Sequence, residues 1–372
     1  MIDKRPEEPG RFAHVGDGSG IEPGDRFYRE ELQLAFRNRG MPLEALRYPI
    51  TPTGLHYLLT HFDIPDVDPA SFRLEVGGLV ARPLRLSLQD LRSRPSVTLA
   101  VTMECAGNGR GLLSPRPLSQ PWLVEAIGTA EWSGTPLRGV LDEAGVDPRA
   151  VEIVFTGRDR GVQGDEEQDY RRSLGVAEAR REEVLLAYAM NGAPLQPQHG
   201  YPLRLVVPGW YGMTSVKWLD RIDAVAEPFQ GYQMIHSYRD AGAPDDPGEP
   251  VTLMRVRALM IPPGIPDFLT RTRLVRAGPV PLTGRAWAGR QGVARVEVSV
   301  DGGATWDEAQ LGEAVSPHAW RAWSYTWQAR PGRHTLCARA TDAAGDVQPV
   351  EQPWNFQGMR NNMVQRVPVL VE

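Results

Sequence analysis

The sequence predicts an α+β region followed by an all-β sandwich, and three observations carry that expectation. Glycine (38) and proline (33) are both abundant among the 372 residues, which favours short strands, many turns and few long helices. Up to residue 248, apolar strand-like runs and short helical patterns are interspersed without the regular βαβ period of a doubly wound sheet. Beyond residue 249 the chain alternates with period two, with turn residues roughly every ten positions, as a sandwich does. The length itself implies about two domains.

Taken in order, residues 1–47 are polar, with glycine and proline clusters and one short helix expected over Arg29–Arg37, and read as an arm. Residues 48–69, YPITPTGLHYLLTHFDIPDVDP, mix prolines and aromatics and predict extended, irregular chain. Residues 72–78 alternate as a half-buried strand, and LSLQDLRSR is a short helix capped by Ser87. A strand over residues 97–103 follows, then a small helix over Leu137–Ala144 with Gly145 as its stop. Residues 151–155 are a continuous apolar strand, and GRDRGVQGDEEQDY after it reads as a polar loop. A helix or strand pair covers residues 173–190, Asn191-Gly192 is a turn, and residues 203–209 are a buried strand. These elements, residues 48–248, form the expected catalytic domain, and residues 249–372 the sandwich. In the sandwich Val296, Val298 and Val300 share a face, Asp301-Gly302-Gly303 marks a hairpin, Thr305-Trp306 begins the return strand, and Cys337 is a small core residue.

Composition excludes some classes. Hydrophobic residues make up 41% and charged residues 23%, values of an ordinary globular chain. A net charge of −5 gives no electrostatic reason to expect nucleic acid or an anionic membrane as partner. No run approaches the ~18 apolar residues of a membrane span. MIDKRPEEPGRF has neither an apolar h-region nor a twin-arginine pair, so a cytoplasmic location is expected. Two cysteines in unlike contexts do not make a disulfide framework.

Two stretches carry chemistry. In residues 97–110, VTLAVTMECAGNGR, a strand delivers Cys105 to a tight Gly-Asn-Gly turn, with Arg110 beside it to favour the thiolate. A thiolate is a nucleophile or a soft metal ligand. With no second cysteine nearby zinc is poorly supported, whereas a metal carried by its own organic cofactor needs only one thiolate. In NGAPLQPQHGYPLRLVVPGWYGMTSVKWL, His199, Arg204 and Lys217 fall within 19 residues and predict an anion cradle, with Gly209, Gly212 and Ser215 allowing backbone amides to approach. The aromatics Tyr57, Trp122, Trp210 and Tyr238 are not assigned on composition.

ECAGNGR resembles the cysteine loop of the sulfite oxidase family, and HGYPLRLVVPG with the following VKWL resembles that family's pterin-binding segment. GRAWAG, VARVEVSVDGGATW and the closing WNFQG resemble its carboxy-terminal dimerisation domain, immunoglobulin-like in form. The resemblance implies a molybdenum enzyme with one molybdopterin and one molybdenum per chain, Cys105 being the only protein ligand to the metal. It implies cofactor contacts from Tyr57, His61, Asp159, His199, Arg204, Ser215, Val216 and Lys217, and a substrate pocket with Trp122 and Tyr238. It further implies a homodimer, and, with no haem domain in this chain, a separate electron acceptor. Oxygen-atom transfer that oxidises sulfite to sulfate is the first expectation.

Two departures bear on the substrate. Animal and plant sulfite oxidases carry pocket arginines where this chain has Leu59 and Gln357. Losing two fixed cations weakens the hold on a doubly charged oxyanion. A less charged sulfur or nitrogen oxide, as substrate of a sulfane dehydrogenase-like or sulfoxide reductase-like enzyme, is therefore the second expectation. A non-enzymatic cofactor-binding protein is the third, and a metal thiolate beside a pocket tyrosine speaks against it.

Overall fold

The computed structural model describes residues 29–372; the rest of the expected arm, residues 1–28, lies outside the described residues. The chain enters as helix α1 (Arg29–Arg37), the predicted span. Its buried Glu31 pairs with Arg116 at 2.8 Å, and Asn38 beyond its end donates to Gln120 at 3.1 Å, so this end is pinned to the pocket loops rather than trailing. Residues 48–69 are irregular as expected, broken only by a short turn at Thr53–Leu55.

Ten strands build the region that follows. They are β1 (Leu74–Gly78), β2 (Leu84–Leu86), β3 (Val97–Glu104), β4 (Ile127–Pro136) and β5 (Glu152–Gln163). Then come β6 (Glu166–Gly175), β7 (Leu185–Met190), β8 (Ala193–Pro194), β9 (Arg204–Val206) and β10 (Leu219–Val225). One sheet has the order β2-β1-β10-β5-β6, with only β1 and β10 parallel. The other is antiparallel, β3-β4-β7-β8, with β9 also on β7. Between them lies a core of Leu74, Phe155, Leu186, Leu205 and Ile222. Helix α2 (Leu88–Arg92) starts with the Ser87 cap, closed by a reciprocal Asp90 carboxylate, and α3 (Leu137–Ala144) stops at Gly145 with φ 67°. The mixture is the expected α+β.

One element differs. The stretch predicted as a polar loop after residue 155 is a long hairpin, β5 running into β6. Gly164 and Asp165 both take positive φ (61° and 66°), the two-residue turn that matches strand twist. Arg160 bonding Glu167 and Asp169 across the hairpin replaces the apolar alternation that marks other strands.

Residues beyond 256 form the sandwich, a four-stranded sheet facing a six-stranded one, with Val296, Val298, Trp323, Trp327 and Leu336 between them. Cys337 is fully buried there. The return strand after Gly302-Gly303 is only Asp307–Glu308, before the chain crosses to the other sheet at Gln310–Ala314.

The sandwich is bolted to the cysteine loop. Glu104, the last residue of β3, accepts from Arg257 at 2.9 Å and from Trp287 Nε1 at 2.8 Å; Glu104 and Arg257 are 2% and 0% exposed. Arg360 N donates to Ala106 O at 2.8 Å and Asn361 Nδ2 to Gly109 O at 2.6 Å. Removing one partner of a buried ion pair leaves the other charge uncompensated. Arg257→Met is expected to lower stability by about 3–5 kcal/mol, read from the denaturant midpoint, and Arg257→Met with Glu104→Gln to recover part of that loss.

Candidate active site

The loop that carries Cys105 is held by its own residues. Cys105 N donates to Ala126 O at 2.9 Å, and Asn108 ties the turn by donating to Glu104 and accepting from Ala126 N at 3.0 Å. Gly109 takes φ 90°, and a Cβ on Gly107 would lie 2.6 Å from the Arg110 guanidinium. The glycines are therefore there for a left-handed turn and for the close approach of a cation. Arg110, 5% exposed, donates from Nε to Gln357 O at 2.8 Å and, among the described residues, has further hydrogen-bond partners only in Gln120 O and the Met359 sulfur.

The expectation that Arg110 makes Cys105 a thiolate in the protein alone needs correction. Burial pushes the Cys105 thiol up, and the Arg110 charge and the Gly107 amide oppose that only in part. Desolvation wins because Cys105 is buried, so deprotonation needs a further positive charge at the sulfur, as a bound metal provides.

Cys105 stands where two cavities meet. A wide one of about 720 Å³ opens to solvent past Arg110, Trp122, Gln163, Gln233, Tyr238 and Gln357. A narrow slot of about 60 Å³ runs inward past Tyr57, Asp159, His199, Arg204, Ser215 and Lys217. Leu59, His61, Cys105 and Tyr238 border both.

The slot's side chains are short of partners. His56 Nε2, His199 Nε2 and Asp159 Oδ1 are buried with none. Arg204 spends its guanidinium on His199 O at 3.0 Å and Ser215 O at 3.1 Å, over the Trp132 ring at 4.6 Å. Lys217 Nζ donates to Leu59 O at 2.7 Å and Gln198 O at 3.1 Å. Burial draws Arg204 down to about 10; it likewise drives Lys217 down and Asp159 up, each charge partly sustaining the other. Two buried cations whose hydrogen bonds go mainly to carbonyls, next to imidazoles whose Nε2 atoms lack partners, make a seat for an anionic group. A Cβ on Gly212 would lie 2.4 Å from Tyr57 Oη, so a larger residue there would push the Tyr57 ring aside. It is this donor set, rather than the volume of the slot, that fits a phosphate-bearing pterin whose metal reaches Cys105.

Most predicted site residues converge. Tyr57, His61, Asp159, His199, Arg204, Ser215 and Lys217 line the slot, and Trp122 and Tyr238 line the wide cavity. Val216 does not: its side chain is in the main core, its N donates to Thr214 O and its O accepts from Leu205 N. Trp210 lies elsewhere, donating to Glu178 at 2.9 Å. His61 is placed differently from a simple cofactor contact, since its Nε2 is 2.5 Å from Tyr238 Oη. Sequence reasoning missed His56, whose ring stands 5.8 Å from His199, and Tyr170, whose ring stands 4.8 Å from His61. His56 had one signal, its place beside Tyr57; Tyr170 sits in the hairpin read as loop. Leu59 gives its side chain to both cavities, and Gln357 spends its amide on His236 O at 2.9 Å and Arg239 N at 3.2 Å, holding the loop that presents Tyr238.

The comparisons with known proteins agree with this geometry. Residues 61–233 match the model of the oxidoreductase molybdopterin binding domain, and residues 251–372 that of the Mo-co oxidoreductase dimerisation domain. The fold is thus that of the molybdopterin-binding oxidoreductases. The sulfite oxidase of Arabidopsis thaliana is 34% identical over 354 residues, covering 86% of this chain and 87% of that protein. The mitochondrial sulfite oxidase of Mus musculus is 36% identical, covering 87% of this chain, which spans 62% of that protein's length. The crystal structure of the sulfane dehydrogenase SoxCD from Paracoccus pantotrophus superposes with a TM-score of 0.77 at 26% identity, covering 97% of this chain and 90% of that one. The chain belongs to the sulfite oxidase family.

Burial holds His56 at about 4 and His61 at about 3, and lowers His199 as well, all below the ordinary value of 6.5. The unfolded chain therefore binds more protons than the folded one below pH 6.5, and stability falls as pH drops through that window. The urea midpoint is expected to decline from pH 7 to pH 5, and His56→Gln to flatten that slope, as its imidazole no longer charges on unfolding.

Proposed function

We propose that this protein oxidises sulfite to sulfate at a molybdenum cofactor seated in the slot, one molybdenum per chain, with Cys105 as the protein ligand. The observation that carries the reading is Arg110, a buried cation with no carboxylate partner among the described residues, lining the wide cavity together with Cys105. Such a cation binds an oxyanion presented at the metal. Sulfite gains one oxygen, ultimately from water, releasing two protons and passing two electrons to an electron acceptor. The bound cofactor supplies the oxygen-atom and two-electron chemistry. His199, Arg204 and Lys217 hold its anionic end, Trp122 and Leu59 wall the reacting centre, and Tyr238 presents its hydroxyl there, positioned by His61. The matched dimerisation domain supports a homodimer as the working form.

A second reading, turnover of a less charged sulfur or nitrogen oxide, draws on Leu59 and the committed amide of Gln357, and on an apolar rim of Val162, Ile235, Trp354 and Phe356. Metal analysis of protein made with molybdenum available should give close to one molybdenum per chain, and sulfite should reduce an artificial acceptor. Cys105→Ser should abolish that turnover and keep the fold. Turnover of a sulfoxide or N-oxide with none of sulfite would replace the first reading by the second.

The Leu59 side chain faces the pocket and carries no polar bond that a substitution would break. Leu59→Arg is expected to lower the KM for sulfite about tenfold by adding a charge-assisted contact, measured in the same assay.

A further inference from the structure

A second buried arginine stands behind the pocket wall. Arg172 on β6 is 3% exposed, and its guanidinium lies 5.3 Å from the centroid of the Tyr238 ring. Its NH1 donates to the main-chain oxygen of Gln233, whose residue lines the wide cavity, and its Nε is buried with no partner. No carboxylate lies within ion-pair distance of it among the described residues. Three buried arginines away from the site are better served. Arg257 pairs with Glu104, Arg273 donates to three carbonyl oxygens, and Arg285 donates to two. A buried cation so poorly compensated is costly unless an anion completes it. The groups that face it are Tyr238, Tyr170 and His61 from the pocket wall, all uncharged, and at longer range Glu152 on β5. The anion has to come from the cavity side.

We propose that Arg172 is a positioning and specificity-determining residue of the substrate pocket: its charge, delivered through the Tyr238 ring and the Gln233 backbone, makes this a site for oxyanions. It holds the face of Tyr238 while His61 holds the hydroxyl, so the tyrosine is fixed at both ends. Arg110 lines the cavity beside Cys105, and Arg172 adds a second positive charge behind its Tyr238 wall, with Leu59 and Gln357 contributing none. The field of a cation in a water-poor wall reaches across one side-chain layer, which is why it acts without touching the ligand. The inference deepens the sulfite reading but concerns anion recognition, which is measurable without turnover.

The experiment is sulfate binding to the molybdenum-loaded protein by calorimetry, with sulfite KM and kcat measured beside it. Arg172→Gln should weaken sulfate binding about tenfold and raise the sulfite KM by a similar factor, with kcat changed less, whereas Arg172→Lys should keep affinity within about threefold. Glu152→Gln, which removes a distant negative charge that acts on Arg172, should tighten sulfate about twofold. Equal losses in Arg172→Gln and Arg172→Lys, with lowered melting temperature and molybdenum content, would assign the residue a purely structural role and overturn the proposal. Sulfate affinity unchanged in both Arg172→Gln and Glu152→Gln would overturn it too. If Arg172→Gln does not fold, the Glu152→Gln shift decides alone. Sulfate binding that depends on Arg172 in a protein that does not turn over sulfite would sink the substrate reading and leave this one standing.

Discussion

The buried pair of Glu104 and Arg257 is the constraint on which the site depends. Glu104 ends the strand that presents Cys105, and its carboxylate is shared among Asn108 of the cysteine loop and Arg257 and Trp287 of the sandwich. Neither charge reaches water, so each needs the other, and the loop and sandwich can only be ordered together. The segment around residues 357–361 extends the same lock, accepting from Arg110 and bonding Ala106 and Gly109. The second domain thus sets the geometry of a site whose chemistry the first domain supplies.

Around that lock the pocket divides its charge. Inward, Arg204, Lys217 and the neutral imidazoles await an anionic cofactor; outward, Arg110 lines a substrate space walled by aromatic and amide groups, and Arg172 backs it from behind the Tyr238 ring. Positive charge far exceeds negative in this region, and Asp159 is driven toward its protonated form by the same burial. Such an arrangement is stable only with anions in place, which links loading of the cofactor to the integrity of the fold.

Much of this was legible in the chain. The α1 span, the Ser87 cap, the Gly145 stop, the Asn191-Gly192 turn and the period-two sandwich followed from local rules, and the structure has each of them. The β5–β6 hairpin was not legible, because its outer half is stitched by charged pairs that look like loop in sequence. That error hid Tyr170, a residue of the pocket wall, and the strand that carries Arg172 behind it. Val216 fits the motif while its side chain turns into the core, which leaves only its backbone to the slot side.

By itself the sequence determined the cysteine at a strand end, the cations gathered around one apolar strand, and the absence of charge at Leu59 and Gln357. These are statements about residue type and spacing, and local chemistry suffices for them. Tertiary structure alone decided which way burial tips Cys105, what His61 touches, and that an arginine on a distant hairpin stands against the Tyr238 ring. Those depend on desolvation and on contacts across 66 and 177 positions, set by the packing of sheets and not by any neighbour in the chain.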